Sequence, residues 1–84
     1  MKHAITPTYT FTPGAAGVGT VNLSGISSFD VKKLYAILNV DKNQIIYVVG
    51  QPQYGLTNVS GTTITLVYNT SSMSGSDRLF ILYD

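Results

Sequence analysis

Cysteine is missing from this chain, and with it go disulfide bridges and thiolate metal sites. Glutamate and tryptophan are missing too, so the acidic side chains are Asp30, Asp41, Asp77 and Asp84 alone. The single histidine, His3, has no second imidazole with which to build a metal shell. Charged residues are 11% of the chain, less than half the usual share of about 25%, so solubility rests on Ser, Thr, Asn and Gly. A surface poor in long charged side chains loses less desolvation energy and side-chain entropy on association, which suits it to assembly contacts. A net charge of +1 gives too weak a field to attract a nucleic acid or a membrane surface.

Long apolar runs are also missing. The longest, residues 45–49, falls far short of the roughly 20 residues of a membrane helix. At the N-terminus Lys2 and His3 run straight into the polar, Pro-containing ITPTYTFTP, which lacks the apolar stretch of a signal peptide. The expectation is a protein made and used without secretion. The triplets opened by Asn22, Asn58 and Asn69, glycosylation acceptors in form, then read as coincidences of a Ser/Thr-rich chain. At 84 residues the chain makes one domain with a modest core, burying about 60–65% of its unfolded surface. Folds this small supplement the core with disulfides, a metal or oligomerisation. Oligomerisation is what remains, and a homo-oligomer such as a trimer is expected.

What is present is strand pattern. Residues 62–84, TTITLVYNTSSMSGSDRLFILYD, hold two alternating apolar segments around a polar loop. In the first, Ile64, Leu66 and Tyr68 alternate with Thr63, Thr65 and Val67, and Ser60 with Gly61 makes NVSGTTITL a tight hairpin. In the second, Leu79, Ile81 and Tyr83 share one face while Phe80 and Leu82 share the other. A terminal strand apolar on both faces is either central in its sheet or covered by another subunit. Residues 44–49, QIIYVV, are β-branched and aromatic throughout and predict a central strand covered on both sides. Residues 29–40 fit a helical stripe (Val31, Leu34, Tyr35, Leu38, with Ser28 as cap) or a strand. The turn at Asp41, Lys42 and Asn43 favours a hairpin, and hence a strand over residues 33–40 with Leu34, Ala36, Leu38 and Val40 on one face.

Earlier in the chain, residues 4–11 place Ile5, Tyr9 and Phe11 on one face, but Pro7 lacks a ladder donor, so an edge strand or arm is expected. Gly14, Gly17 and Gly19 fall in the order GxxGxG with no helix signal after them, which is turn chemistry rather than a phosphate loop. Short strands spaced about ten residues apart predict an all-β fold: a small antiparallel β-sandwich or barrel of about six to seven strands. The domain boundaries expected are an extended N-terminal arm, residues 1–14, and a β domain, residues 15–84.

No catalytic constellation is visible, so no enzyme, cofactor or metal site is expected. His3 stands in a terminus without a nucleophile, no serine sits in a nucleophile elbow, and the aspartates occupy turns, caps or the chain end. Lys32, Lys33 and Lys42 are too few, and too little interleaved with aromatics, for a nucleic-acid groove. The tyrosines could stack on sugars, and Tyr54 with Gln53 in the loop at residues 51–55 forms the candidate glycan contact. The same tyrosines would equally pack on an all-β core with their hydroxyls outward. Candidate interface residues are Tyr9 and Phe11 from the arm, Met73 as the apolar plug of the polar loop, Arg78, and the outward pair Phe80 and Leu82.

The Ser-Gly-Thr-Thr turn at 60–63, the alternating strand ending in Tyr68, the Thr-Ser-Ser-Met-Ser loop at 70–74, the Ser-Asp pair at 76–77 and the terminal strand ending Tyr-Asp resemble small virion structural proteins of tailed bacteriophages. KLYAILNVDKNQIIYVVG upstream fits as their preceding strand pair, so the likeness spans about residues 33–84. The resemblance implies a virion component assembled in the host cytoplasm: a capsid decoration (cement) protein, or one at the neck, tail or fibre. Its implied partners are copies of itself, the major capsid protein or other virion proteins, and it carries over no catalytic residue. The alternative is a carbohydrate-binding or adhesin-type module at a fibre or tail tip.

Overall fold

A computed structural model describes the backbone of residues 3–5 and the whole of residues 8–83. Readings made of Lys2, Pro7, Asp84 and the side chains of His3 and Ile5 lie outside the described residues. Among the described residues the strands are β1 (His3–Ile5), β2 (Thr10–Thr12), β3 (Thr20–Asn22), β4 (Leu34–Asn39), β5 (Gln44–Val48), β6 (Leu56–Ser60), β7 (Thr63–Leu66) and β8 (Leu79–Tyr83). They form two antiparallel four-stranded sheets, ordered β1-β8-β4-β5 and β2-β3-β7-β6. The expected all-β sandwich is the fold.

One core lies between the sheets. Leu34, Ile37, Ile46, Tyr47, Leu79 and Ile81 enter it from the first sheet, and Phe11, Val21, Ile64 and Leu66 from the second. Alternation of side chains along each strand produces this division. Ile81 of β8 faces Ile37 of β4 in register and both are fully buried, while their neighbours point away from the core. The terminal strand is therefore central, between β1 and β4.

Two expectations are corrected. The segment at 44–49 is an edge strand, because β8 takes the central place beside β4. Its doubly apolar pattern has a local cause: the pairing steps from Ile37↔Tyr47 to Leu38↔Ile45, leaving Ile46 as an extra residue, and this bulge lets consecutive Ile46 and Tyr47 both bury. In β4 an extra residue at Tyr35 likewise puts Leu34 with Ile37 on the inner face, not with Ala36 and Leu38. In the N-terminal segment, β1 pairs with β8, β2 pairs with β3, and Phe11 is 4% exposed in the core. With its two halves in different sheets, this segment contributes two strands rather than one, raising the count to eight.

The segment at 29–40 opens with a 3-10 turn, Val31–Lys33, capped by Asp30 rather than Ser28: Lys32 N–H donates to Asp30 Oδ1 at 2.9 Å. Strand then wins over the helical stripe because β4 is hydrogen-bonded on both sides, by β5 and β8. The hairpin β6–β7 closes through Gly61 and Thr62, with φ of +60° at Gly61 alone, as in a type II′ turn. The glycines at 14–19 make a turn. A Cβ on Gly19 would stand 2.5 Å from Thr70 Oγ1, so this close approach requires glycine.

Adjacent residues of β8 therefore differ sharply in what they support. Ile81→Ala should cost about 2–5 kcal/mol, and Phe80→Ala about 1 kcal/mol or less. Thermal melts followed by circular dichroism should show the first variant at least about 4 °C below the second. Equal melting temperatures would contradict the assignment of the two faces.

Candidate assembly surface

β8 is fixed in place by a polar latch in the loop before it. Asn39, fully buried at the end of β4, donates from Nδ2 to Asp77 Oδ2 at 3.0 Å and to Met73 Sδ at 3.2 Å. Its Oδ1 accepts from Lys42 N–H at 3.1 Å, tying the β4–β5 turn to the same group. Asp77 Oδ2 also accepts from Ser74 N–H at 3.0 Å. Tyr9 Oη accepts from Leu79 N–H at 2.8 Å, linking the start of β8 to the N-terminal segment. Thr70, fully buried, exchanges hydrogen bonds with the Gly14 backbone through Oγ1 and its own N–H. Among the described residues no buried side-chain polar atom is left without a partner, as a stable core requires.

The backbone N–H of Ser74 and then the Asn39 amide hold the Asp77 carboxyl below the usual aspartate range. At the surface, Arg78 grips Asp41 through Nε, Nη2 and its backbone N–H at 2.8–3.1 Å. This depresses the Asp41 carboxyl, chiefly through the side-chain hydrogen bond, and raises the guanidinium. The pair is exposed, with the Arg78 side chain at 78%, so it orients the turn more than it stabilises the fold.

With β8 latched, its outward residues join a continuous apolar face. Ile45, Leu38 and Phe80 lie opposite one another across β5, β4 and β8, in one cross-strand row. Val48, Ala36 and Leu82 form a second row beside it. Ile45 is 44% exposed and Phe80 46%, and Val40 and Val49, the residues just after β4 and β5, are exposed as well. No charged side chain lies in either row.

The structure divides the expected interface residues. Phe80 and Leu82 lie on this face, and Arg78 stands just before its β8 edge. Phe11 is in the core, Met73 packs against it, and the Tyr9 hydroxyl accepts from Leu79 N–H. Phe11 alternates with threonines at the start of the chain and looked like an arm, but its pairing partner Val21 carries it inward. Ala36, Leu38, Ile45 and Val48 share this face and are not among the expected residues, although apolar residues on both faces of neighbouring strands are their signal. Gln53 and Tyr54 lie in a 3-10 turn between β5 and β6, with the Tyr54 ring stacked on Tyr68 at 5.3 Å. No cavity is found among the described residues, nor any cluster of groups able to hold a metal. No family model, curated protein or solved structure matches the chain.

The depressed carboxyls of Asp77 and Asp41 set a pH dependence. Both take up protons less readily folded than unfolded, so their stabilisation is complete above the ordinary aspartate value of about 3.9. It is lost as pH falls through their lower folded values. The melting temperature should stay level from pH 7 to pH 5 and fall below about pH 4. Asp77→Asn should make that acid fall shallower. Superimposable acid limbs for the two proteins would show that the latch carboxylate does not contribute.

Proposed function

We propose that the protein is a virion structural protein of the capsid-decoration kind, working as a homo-oligomer on the particle surface by contact alone. The observation that carries this reading is the uncharged apolar face of β4, β5 and β8. Its residues fall within 33–84, the stretch that resembles phage virion proteins. Two rows on three strands cover roughly 200–300 Å² given strand spacings of about 4.8 Å. A stable pairwise interface buries about 800 Å² per partner, so one such contact is weak by itself. A repeating shell alters that arithmetic, since linked weak contacts sum into avidity. Copies of this chain and the major capsid protein are the partners this reading assigns, with no nucleic acid and no membrane. The protein would be assembled into the virion in the host cytoplasm.

The test is occupancy on particles purified by density gradient from a host carrying the gene, read by mass spectrometry. The protein should co-sediment at a fixed ratio to the major capsid protein. Phe80→Lys should lower that ratio more than about tenfold, since a Phe side chain is worth about 1.5–3 kcal/mol on burial. Recovery of the wild-type protein only in the soluble fraction would contradict the reading.

A further inference from the structure

We infer that the open edge of β6 pairs antiparallel with β6 of a second copy about a two-fold axis, joining the second sheets of the two copies into one. This rests on the homo-oligomer reading above and adds a second contact on a different surface from the apolar face. The sandwich has four sheet edges, β1 and β5 in the first sheet and β2 and β6 in the second. An edge strand presents unpaired N–H and C=O groups, and proteins blunt such edges when nothing is to pair with them. β1 is only three residues long. β2 is as short, and the loop before β8 closes on it: a Cβ on Gly75 would stand 2.9 Å from Phe11 O. β5 carries the bulge at Ile46, and Gln44 Nε2 donates to Ile45 O at 2.9 Å.

β6 is left open. Its five residues, LTNVS, hold no charge and no proline, and its irregular step falls at Thr57, which leaves residues 58–60 in regular register. The two-residue turn makes Ser60 and Thr63 a hydrogen-bonded pair, and alternation makes Asn58 and Thr65 the next. Val59 lies between these pairs, so its N–H and C=O point away from β7, to the side where no strand lies among the described residues. Its side chain is open in the same direction. Val59 faces Ile64 in register and so belongs to the inner face, yet it is 41% exposed while Ile64 is fully buried. One further strand alongside β6 would satisfy the backbone groups and cover the valine together.

A second β6 fits that place. In an antiparallel pair centred on Val59 the two valines exchange N–H···O bonds and cover one another on the inner face. Asn58 of each copy then faces Ser60 of the other, two short polar side chains able to hydrogen-bond on the outer face. A two-fold axis brings identical surfaces together, so a charge beside it would meet a like charge. Residues 43–76 contain no Asp, Glu, Lys, Arg or His, and β6 and both of its flanking turns lie inside that stretch. Five residues make far less contact than the about 800 Å² per partner of a stable interface. The pairing is therefore weak in isolation and forms where the apolar face has already gathered copies.

Disulfide trapping tests this, and the chain's lack of cysteine makes the readout specific. Asn58→Cys and Ser60→Cys are made as separate proteins, mixed at millimolar concentration and oxidised with copper phenanthroline. In the inferred register, positions 58 and 60 of opposite copies have Cα atoms about 4.5 Å apart, within disulfide reach. Position 58 with 58, or 60 with 60, lies about 7–8 Å apart and outside it. The mixture should give a linked dimer at least about tenfold above either protein alone, with the 58–60 bond found by peptide mass spectrometry. Adding Val59→Lys to both proteins sets like charges across the axis and should lower that yield at least about threefold. Equal linking in the mixture and the single proteins, no linked dimer, or a yield that Val59→Lys leaves unchanged would overturn the inference. Particle occupancy reads the other sheet, so a protein that occupies particles but forms no 58–60 bond would refute the edge pairing alone.

Discussion

The pairing of β8 with β4 is the constraint on which the other features rest. Ile81 and Ile37 meet at the centre of the first sheet with no exposure, and side chains alternate along β8, where the pairing runs in register from Leu79 to Leu82. Burying Leu79 and Ile81 therefore turns Phe80 and Leu82 outward. The chain could have placed Thr or Lys at those two positions, as an exposed sheet face commonly does. It places Phe and Leu, and β4 and β5 answer with Leu38, Ala36, Ile45 and Val48 at the facing positions. Apolar residues on both sides of one sheet are what a domain needs if its core alone does not complete its burial.

The two sheets have been given opposite chemistries. The first is apolar inside and out, with the described charges gathered in the turns at its ends. The second is apolar inside and covered outside by short hydroxyl and amide side chains without any charge. The latch of Asn39, Asp77, Ser74 and Tyr9 keeps β8 in register, and so keeps the apolar rows aligned. A one-residue slip would exchange Ile81 for Phe80 in the core. Hydrogen bonds to a buried carboxylate are directional enough to oppose that slip in a way that aliphatic packing is not.

Much of this was legible in the sequence wherever the signal is local. The alternation of residues 79–83, the hairpin through Gly61 and the turn at the 14–19 glycines all follow from neighbours within a few positions. What misled was pattern read without register. Ile46 and Tyr47 bury together through a bulge, which imitates a strand covered on both faces, so β5 was placed in the middle of the sheet when it lies at the edge. Phe11 looked like part of an arm because its partner Val21 lies across a turn whose geometry the glycines leave open. The apolar rows were out of reach for the same reason. Ile45, Leu38 and Phe80 are neighbours only after two strand pairings have formed, and no periodicity links them in the chain.

The central claim, that the outer face of β4, β5 and β8 is a contact surface, is tested most directly by solution mass. Light scattering should be run across a concentration series for the wild-type chain and for Phe80→Lys. A contact of this size predicts reversible association: a mass near 9.0 kDa at high dilution that rises with concentration, and a variant that stays near the monomer value throughout. A wild-type protein that remains monomeric at every concentration, or an oligomer that Phe80→Lys leaves intact, would contradict the account.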